Sequence, residues 1–192
     1  LQEALSDAHI EGASSRNTAR FVQMALLAGS QAMKQANLID WLQEEEESND
    51  RSHILSRRDR FGVCIGSGMS AVRERNTAWD LVAGSGTIRR LSPHFVPKVL
   101  ANSAAGRLSL EYGLRGPNLA PSTACAASAH SIGDGFRAIQ NGSSDLMLVG
   151  GAEASIEPLG LAGFCRLRAL STSFNDHPEE ASRPFDEQRD GF

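Results

Sequence analysis

The sequence predicts an α/β fold: a largely buried sheet layered against helices. Three observations predict it. Short apolar runs of β type end in glycine turns, Phe61-Gly-Val-Cys-Ile65 into Gly66-Ser-Gly68 and residues 145–149 into Gly150-Gly151. Longer segments alternate with these runs, and their apolar residues recur at helical spacing. The β runs are continuously apolar, as strands covered on both faces are.

The elements follow in order. Residues 1–15 are small and polar without a clear period. Over residues 16–38, Phe21, Met24, Ala25, Ala28, Ala32 and Met33 recur at helical spacing with no proline between them, which predicts a long amphipathic helix. The run Glu44-Glu-Glu-Glu47, followed by Ser-Asn-Asp, reads as a solvated acidic loop with no assigned role, balanced by the arginines among residues 57–60. Residues 61–65 form a strand. Pro93 and Pro97 punctuate a loop that leads into an Ala- and Leu-rich helix over residues 99–112, closed by Gly113. Gly116-Pro117-Asn118 is a turn, and residues 119–124 are a short strand of small residues. Residues 125–140 carry apolar side chains at 126, 129, 132, 136 and 139, a helix closed by Asn141-Gly142. Residues 145–149 are the last strand. No internal repeat is present.

Composition narrows the function. Across 192 residues, 41% are hydrophobic and 22% charged, an ordinary globular balance long enough to bury a core. A net charge of −4 argues against a nucleic-acid surface as the main business. There is no apolar run of about 20 residues to span a membrane. The three cysteines, Cys64, Cys125 and Cys165, show neither a C-x-x-C pair nor zinc-ligand spacing, and read as reduced thiols. No metal site is expected.

The sharpest chemical feature is Ser122-Thr-Ala-Cys125-Ala-Ala-Ser-Ala129, where a strand runs into a helix with a cysteine at the junction. Unpaired N–H groups and the helix dipole favour negative charge there, and the thiolate is the nucleophile. The same N–H groups can stabilise the oxyanion of an acyl group on that sulfur. Ala126 and Ala127 leave room for a substrate. The chemistry alone leaves a second reading open, a small buried hydrophobe. His130 lies five residues on, about 140° around a helix from Cys125, and reads as a packed or hydrogen-bonded residue rather than a base. Gly66-Ser-Gly68-Met-Ser-Ala71 also fits a loose dinucleotide-binding pattern, but the acidic residue expected about 20 positions later is missing; the nearest are Asp80 and Glu111.

Several motifs stand in order. These are Ile65-Gly-Ser-Gly-Met69, Ser92-Pro-His-Phe-Val-Pro97, Asn102-Ser-Ala-Ala-Gly106, Tyr112-Gly-Leu-Arg-Gly-Pro117 and Thr123-Ala-Cys-Ala-Ala-Ser-Ala-His130. They continue through Asp145-Leu-Met-Leu-Val-Gly-Gly-Ala-Glu153, Pro158-Leu-Gly-Leu-Ala-Gly-Phe164, Arg168-Ala-Leu-Ser-Thr172 and Arg183-Pro-Phe-Asp-Glu-Gln-Arg-Asp-Gly-Phe192. In order and spacing they resemble the β-ketoacyl-acyl-carrier-protein synthases over roughly residues 16–192, the elongating type above all. The resemblance implies a thiolase-like fold, of which residues 1–192 would be a partial N-terminal domain: a mixed sheet layered with helices, lacking the family's first strand and its C-terminal half. It implies a homodimer whose strand over residues 145–153 lies at the dimer axis.

The resemblance also implies the chemistry. An acyl chain passes from acyl carrier protein to Cys125, and a decarboxylative Claisen condensation with malonyl carrier protein follows, the enolate stabilised by two histidines that, like an active-site lysine, come from the second half. A chain without those groups is expected not to complete the cycle. Met69 matches a gate of the acyl pocket, Phe164 a pocket-wall aromatic, and Phe95 a residue reaching the neighbouring subunit's pocket. Arg168 and Arg16 match basic positions that meet the acidic carrier. No cofactor is implied beyond the phosphopantetheine arm of the carrier. The wording of residues 62–68 and 95–98 is nearer the mitochondrial enzymes, with bacterial cytoplasm the other home. An initiating or polyketide-type condensing enzyme of the same fold, and a non-catalytic truncated product, are the competing readings.

Overall fold

Six consecutive buried residues make the central strand. β1 (Phe61–Gly66) is buried along its whole length. In the computed structural model, which describes residues 2–7, 10, 17–47 and 56–192, it pairs on both edges. β2 (Asn118–Leu119) lies on one side, with Val63 opposite Asn118. β3 (Leu146–Gly151) lies on the other, in register from Phe61 opposite Leu146 to Gly66 opposite Gly151. Both pairings are parallel, so the three carboxyl ends meet at one edge. At the opposite end Arg60 and Asp145 form a two-point ion pair at 2.7 and 3.1 Å that ties the starts of β1 and β3. It holds the Asp145 carboxyl below its ordinary range.

The chain divides into two compact units, Leu1–Ala154 and Ser155–Phe192. Among the described residues the first contains the sheet and seven α-helices: α1 (Gln2–Asp7), α2 (Arg20–Gln35), α3 (Leu38–Glu47), α4 (Val72–Ser85), α5 (Phe95–Val99), α6 (Ser103–Tyr112) and α7 (Ala127–Gln140). The second contains α8 (Pro158–Arg166), opened by a proline where its missing N–H costs nothing. Among the described residues no helix is long and apolar enough to cross a membrane.

Several elements correct the sequence reading. The long helix of residues 16–38 is α2 and the start of α3, broken at Asn37, whose φ of 55° ends α2 with a left-handed residue. The glutamate run is the last part of α3, not a loop. Glutamate is a good helix former, and Leu42 anchors the helix in the core. Arg57 adds a clamp: its guanidinium stacks 4.5 Å over the Trp41 ring and pairs with Glu44 at 3.7 Å. α2 buries Phe21, Val22, Ala25, Leu26, Gly29, Ser30 and Met33. Met24, Ala28 and Ala32, expected on that face, are exposed. α1 is a single short helix that buries Leu5, too short to show a period. α4 buries only Val72 and Ala78, so it carried little periodic signal. α5 forms where a loop was expected, because Pro97 falls in its first turn. The strand of residues 119–124 shrinks to β2, since Pro121 has no N–H for a ladder.

α7 packs with its small residues. Ala127, Ser131, Gly135 and Ala138 are buried, while Ile132 and Phe136 are 55% and 65% exposed. The apolar stripe that marked this helix in the sequence therefore faces away from the sheet. Close approach is set by glycine. A Cβ on Gly66 would lie 2.5 Å from the Ala127 carbonyl oxygen, and one on Gly151 would lie 2.8 Å from Ser128 Cβ. Cys64, buried in β1, has its thiol pushed up by burial and is inert.

Gly66→Ala places a methyl group against backbone that cannot swing aside. It should cost about 1–3 kcal/mol, as overpacking does, seen as a lower urea midpoint with an unchanged slope. An unchanged midpoint would show that α7 is not held by this contact.

Candidate active site

All three strands point their carboxyl ends at the segment before α7. β2 ends at Leu119, residues 120–123 run irregularly, and Ala124–Ala126 form a 3₁₀ turn that leads into α7. Cys125 sits in that turn and is exposed. The helix thus begins two residues later than expected, and the thiol residue precedes the first turn rather than lying in it. Among the described residues Cys125 is not buried as a small hydrophobe. Ala124 has φ 52°, a left-handed conformation that an alanine rarely adopts. Such strain persists only where the surroundings impose it.

Those surroundings are specific. The loop after β1 presses on the cysteine's segment: Ser67 donates its backbone N–H to the Pro121 carbonyl at 3.2 Å, and the Ser122 hydroxyl donates to the Gly68 carbonyl at 3.4 Å. A Cβ on Gly68 would lie 3.4 Å from Ala124 Cα. Thr123 Oγ1 and His130 Nδ1 are 2.7 Å apart. His130 is thus a hydrogen-bonded residue that anchors the segment, as expected. The 140° separation does not describe it, since Cys125 lies outside the α-helix. Among the described residues no cluster of three His, Cys, Asp or Glu side chains could hold a metal ion.

The other sequence-predicted residues fall in three places. Met69 follows the glycine turn beside the cysteine's segment and is 40% exposed. Phe95 opens α5 and is half-buried in a shallow cavity of about 270 Å³ between α4 and α5, whose lining includes Arg73, Leu81 and Lys98 and neither Cys125 nor Met69. Phe164 and Arg168 belong to the second unit. Arg16 lies outside the described residues.

Within the second unit, the segment after α8 is clasped by the chain's last residues. Arg168 is exposed, with φ 57°. The Phe192 ring meets Phe164 edge-on with centroids 5.3 Å apart, and the Phe192 N–H donates to the Ala169 carbonyl at 3.0 Å. Asp190 accepts backbone N–H bonds from Thr172 at 2.6 Å and Ser173 at 2.8 Å. These bonds hold its carboxyl at about 2. Gly191, at φ 75°, packs against the backbone of residues 169–171, where no side chain fits. Asp190, Glu153 and the strain at Ala124 were not singled out from sequence. Two signals pointed there: glycines at both long strand ends, and an aspartate just before Gly191.

Known proteins resemble this chain in sequence and in fold. Residues 2–192 match the family model of the β-ketoacyl synthase N-terminal domain. A mitochondrial 3-oxoacyl-[acyl-carrier-protein] synthase of Arabidopsis thaliana is 47% identical over 93% of this chain and 36% of its own. A 3-oxoacyl-[acyl-carrier-protein] synthase 2 of Vibrio cholerae is 44% identical over 90% of this chain and 38% of its own. The solved structure of a type II polyketide ketosynthase, bound to a hexaketide and in complex with its acyl-carrier protein, superposes with a TM-score of 0.74. It is 26% identical and covers 92% of this chain and 41% of that one. The chain thus spans well under half the length of these relatives.

The Asp190 clasp has a pH signature. A carboxyl lowered from 3.8 to about 2 contributes stability above its unfolded value, and that contribution fades as pH falls through about 2. Wild type should lose stability between these values relative to its own neutral level, and Asp190→Asn should lose less. Parallel acid titrations of the urea midpoint check this; identical slopes would show that Asp190 makes no clasp.

Proposed function

The chain belongs to the β-ketoacyl synthase family, matching its N-terminal domain over residues 2–192, and from that premise we propose that Cys125 is the residue that takes up an acyl group for condensation. The observation that carries the proposal is the exposed thiol in a strained turn at the carboxyl edge of a parallel sheet. Ligands of open α/β sheets bind at that edge. The Cys125 sulfur attacks the thioester carbonyl of an acyl carrier protein. A new C–S bond forms, the C–S bond to the phosphopantetheine arm breaks, and the released thiolate takes the proton that the Cys125 thiol gave up. Backbone N–H groups entering α7 are the natural donors for the oxyanion on the way.

The acyl-enzyme then serves as electrophile. A malonyl group on a second carrier loses carbon dioxide, and its carbanion attacks the acyl carbonyl and expels the Cys125 thiolate. This is the 3-oxoacyl-[acyl-carrier-protein] synthase reaction of fatty acid biosynthesis. Polarising the malonyl carbonyl requires donors that no residue of this site has been assigned, so the step belongs to the family's whole length. Met69 gates the acyl chain, with a flexible thioether that can yield to it, and Phe164 and Phe95 line acyl pockets. Arg168 and Arg16 meet the acidic carrier, the one partner outside a homodimer that pairs through β3. The name of the plant relative, a mitochondrial synthase, supports a mitochondrial home, with bacterial-type cytoplasm the other reading. A polyketide role is the second reading, favoured by the superposition on a polyketide ketosynthase.

Cys125→Ala should abolish the acyl adduct formed when the protein meets an acyl carrier protein, read by intact mass, while carrier binding persists. An adduct on the alanine variant would refute Cys125 as acceptor. Arg168→Glu should weaken carrier binding more at low salt than at high salt, since a Debye length of about 10 Å at 0.1 M screens exposed charge. Equal affinity at both salts would remove Arg168 from the contact.

A further inference from the structure

The loop after β1 has a second anchor. Glu153, two residues beyond β3, accepts the Met69 backbone N–H on Oε2 at 2.6 Å and the Ala154 N–H on Oε1 at 3.1 Å. The same Oε2 would lie 3.1 Å from a Cβ on Gly68. The carboxylate and Ala124 thus crowd the same side of Gly68, and the carboxylate bonds the next N–H along. The Gly68 carbonyl in turn accepts from Ser122 of the cysteine's segment. The loop also holds a strained residue of its own, Ser70 at φ 52°, buried and bonded by the Arg75 guanidinium.

Two left-handed non-glycine residues, Ser70 and Ala124, thus flank one short peptide held by a carboxylate. Neither conformation is stable by itself, and such strain costs about 1–3 kcal/mol per residue. Bonds to an ionised acceptor are about twice as strong as neutral ones.

We infer that Glu153 is a positioning residue for the nucleophile: its carboxylate holds the Gly68-Met69 peptide against the turn that carries Cys125. It touches no reacting atom. It acts through Gly68 on Ala124 and so on the backbone that presents Cys125. The inference rests on the acyl-acceptor reading of Cys125 for its consequence, though not for its geometry. The Glu153 side chain is exposed, so truncation opens no buried cavity and the fold survives.

The test compares Glu153→Ala and Glu153→Gln with wild type in two measurements. In amide hydrogen exchange, Glu153→Ala should speed exchange over residues 67–70 and 121–126 together, and Glu153→Gln, which keeps an acceptor oxygen, should restore most of the protection. In acylation of Cys125 by an acyl thioester of pantetheine, Glu153→Ala should lower the maximal rate about tenfold with KM little changed, as for one lost charge-assisted hydrogen bond. Glu153→Gln should recover most of that rate. Faster exchange at residues 67–70 alone, or an unchanged acylation rate in Glu153→Ala, would overturn the inference. A wild type that shows the exchange pattern of positioning but takes no acyl group would overturn the acyl-acceptor reading and leave the positioning standing.

Discussion

Helix α7 touches the sheet backbone to backbone. Gly66 at the end of β1 faces the Ala127 carbonyl, and Gly151 at the end of β3 faces Ser128, each with no room for a Cβ. Gly135, one face further along, lies against the Val149 side chain. Dispersion contacts at this range reward small residues on both sides, which explains a buried helix face made of Ala127, Ser131, Gly135 and Ala138. The consequence is positional. A helix this close to the sheet must be entered by a tight turn at the carboxyl edge of the strands, and Cys125 is in that turn.

The turn then depends on its neighbours. Ala124 is left-handed, and the loop after β1 is bonded both to residues 121 and 122 and to Glu153. The exposed thiol therefore stands on backbone fixed from several directions. Exposure with a rigid base suits the acyl-accepting role proposed for it. Cys165, also exposed, lies on α8 with no comparable support among the described residues, and Cys64 is sealed in the central strand.

Much of this was legible in the sequence, for definite reasons. β1 and β3 announced themselves because both are continuous apolar runs ending in glycine, the pattern of buried parallel strands. The Gly113 and Gly142 helix ends were legible because both need positive φ. The cysteine was legible from the small residues around it. Other features were hidden. The buried face of α7 is made of Ala, Ser and Gly, so hydrophobicity pointed to Ile132, Phe136 and Ile139, which face away. The break at Asn37 was invisible because nothing in the apolar period changes there. The glutamates of α3 looked like a loop because their support, Arg57 over Trp41, comes from a distant segment. Glu153 and Asp190 act on backbone N–H groups, and hydrophobic periodicity does not report such bonds.

The most direct measurement is a map of acyl label over the three cysteines of the intact chain after exposure to an acyl carrier protein loaded with a medium-length acyl chain, read by peptide mass spectrometry. Exposure alone would let Cys125 and Cys165 react alike. The packing of α7 and the turn it forces predict label on Cys125, with Cys165 and Cys64 unlabelled. Equal label on Cys125 and Cys165, or label on Cys165 alone, would contradict the claim that this turn makes the nucleophile.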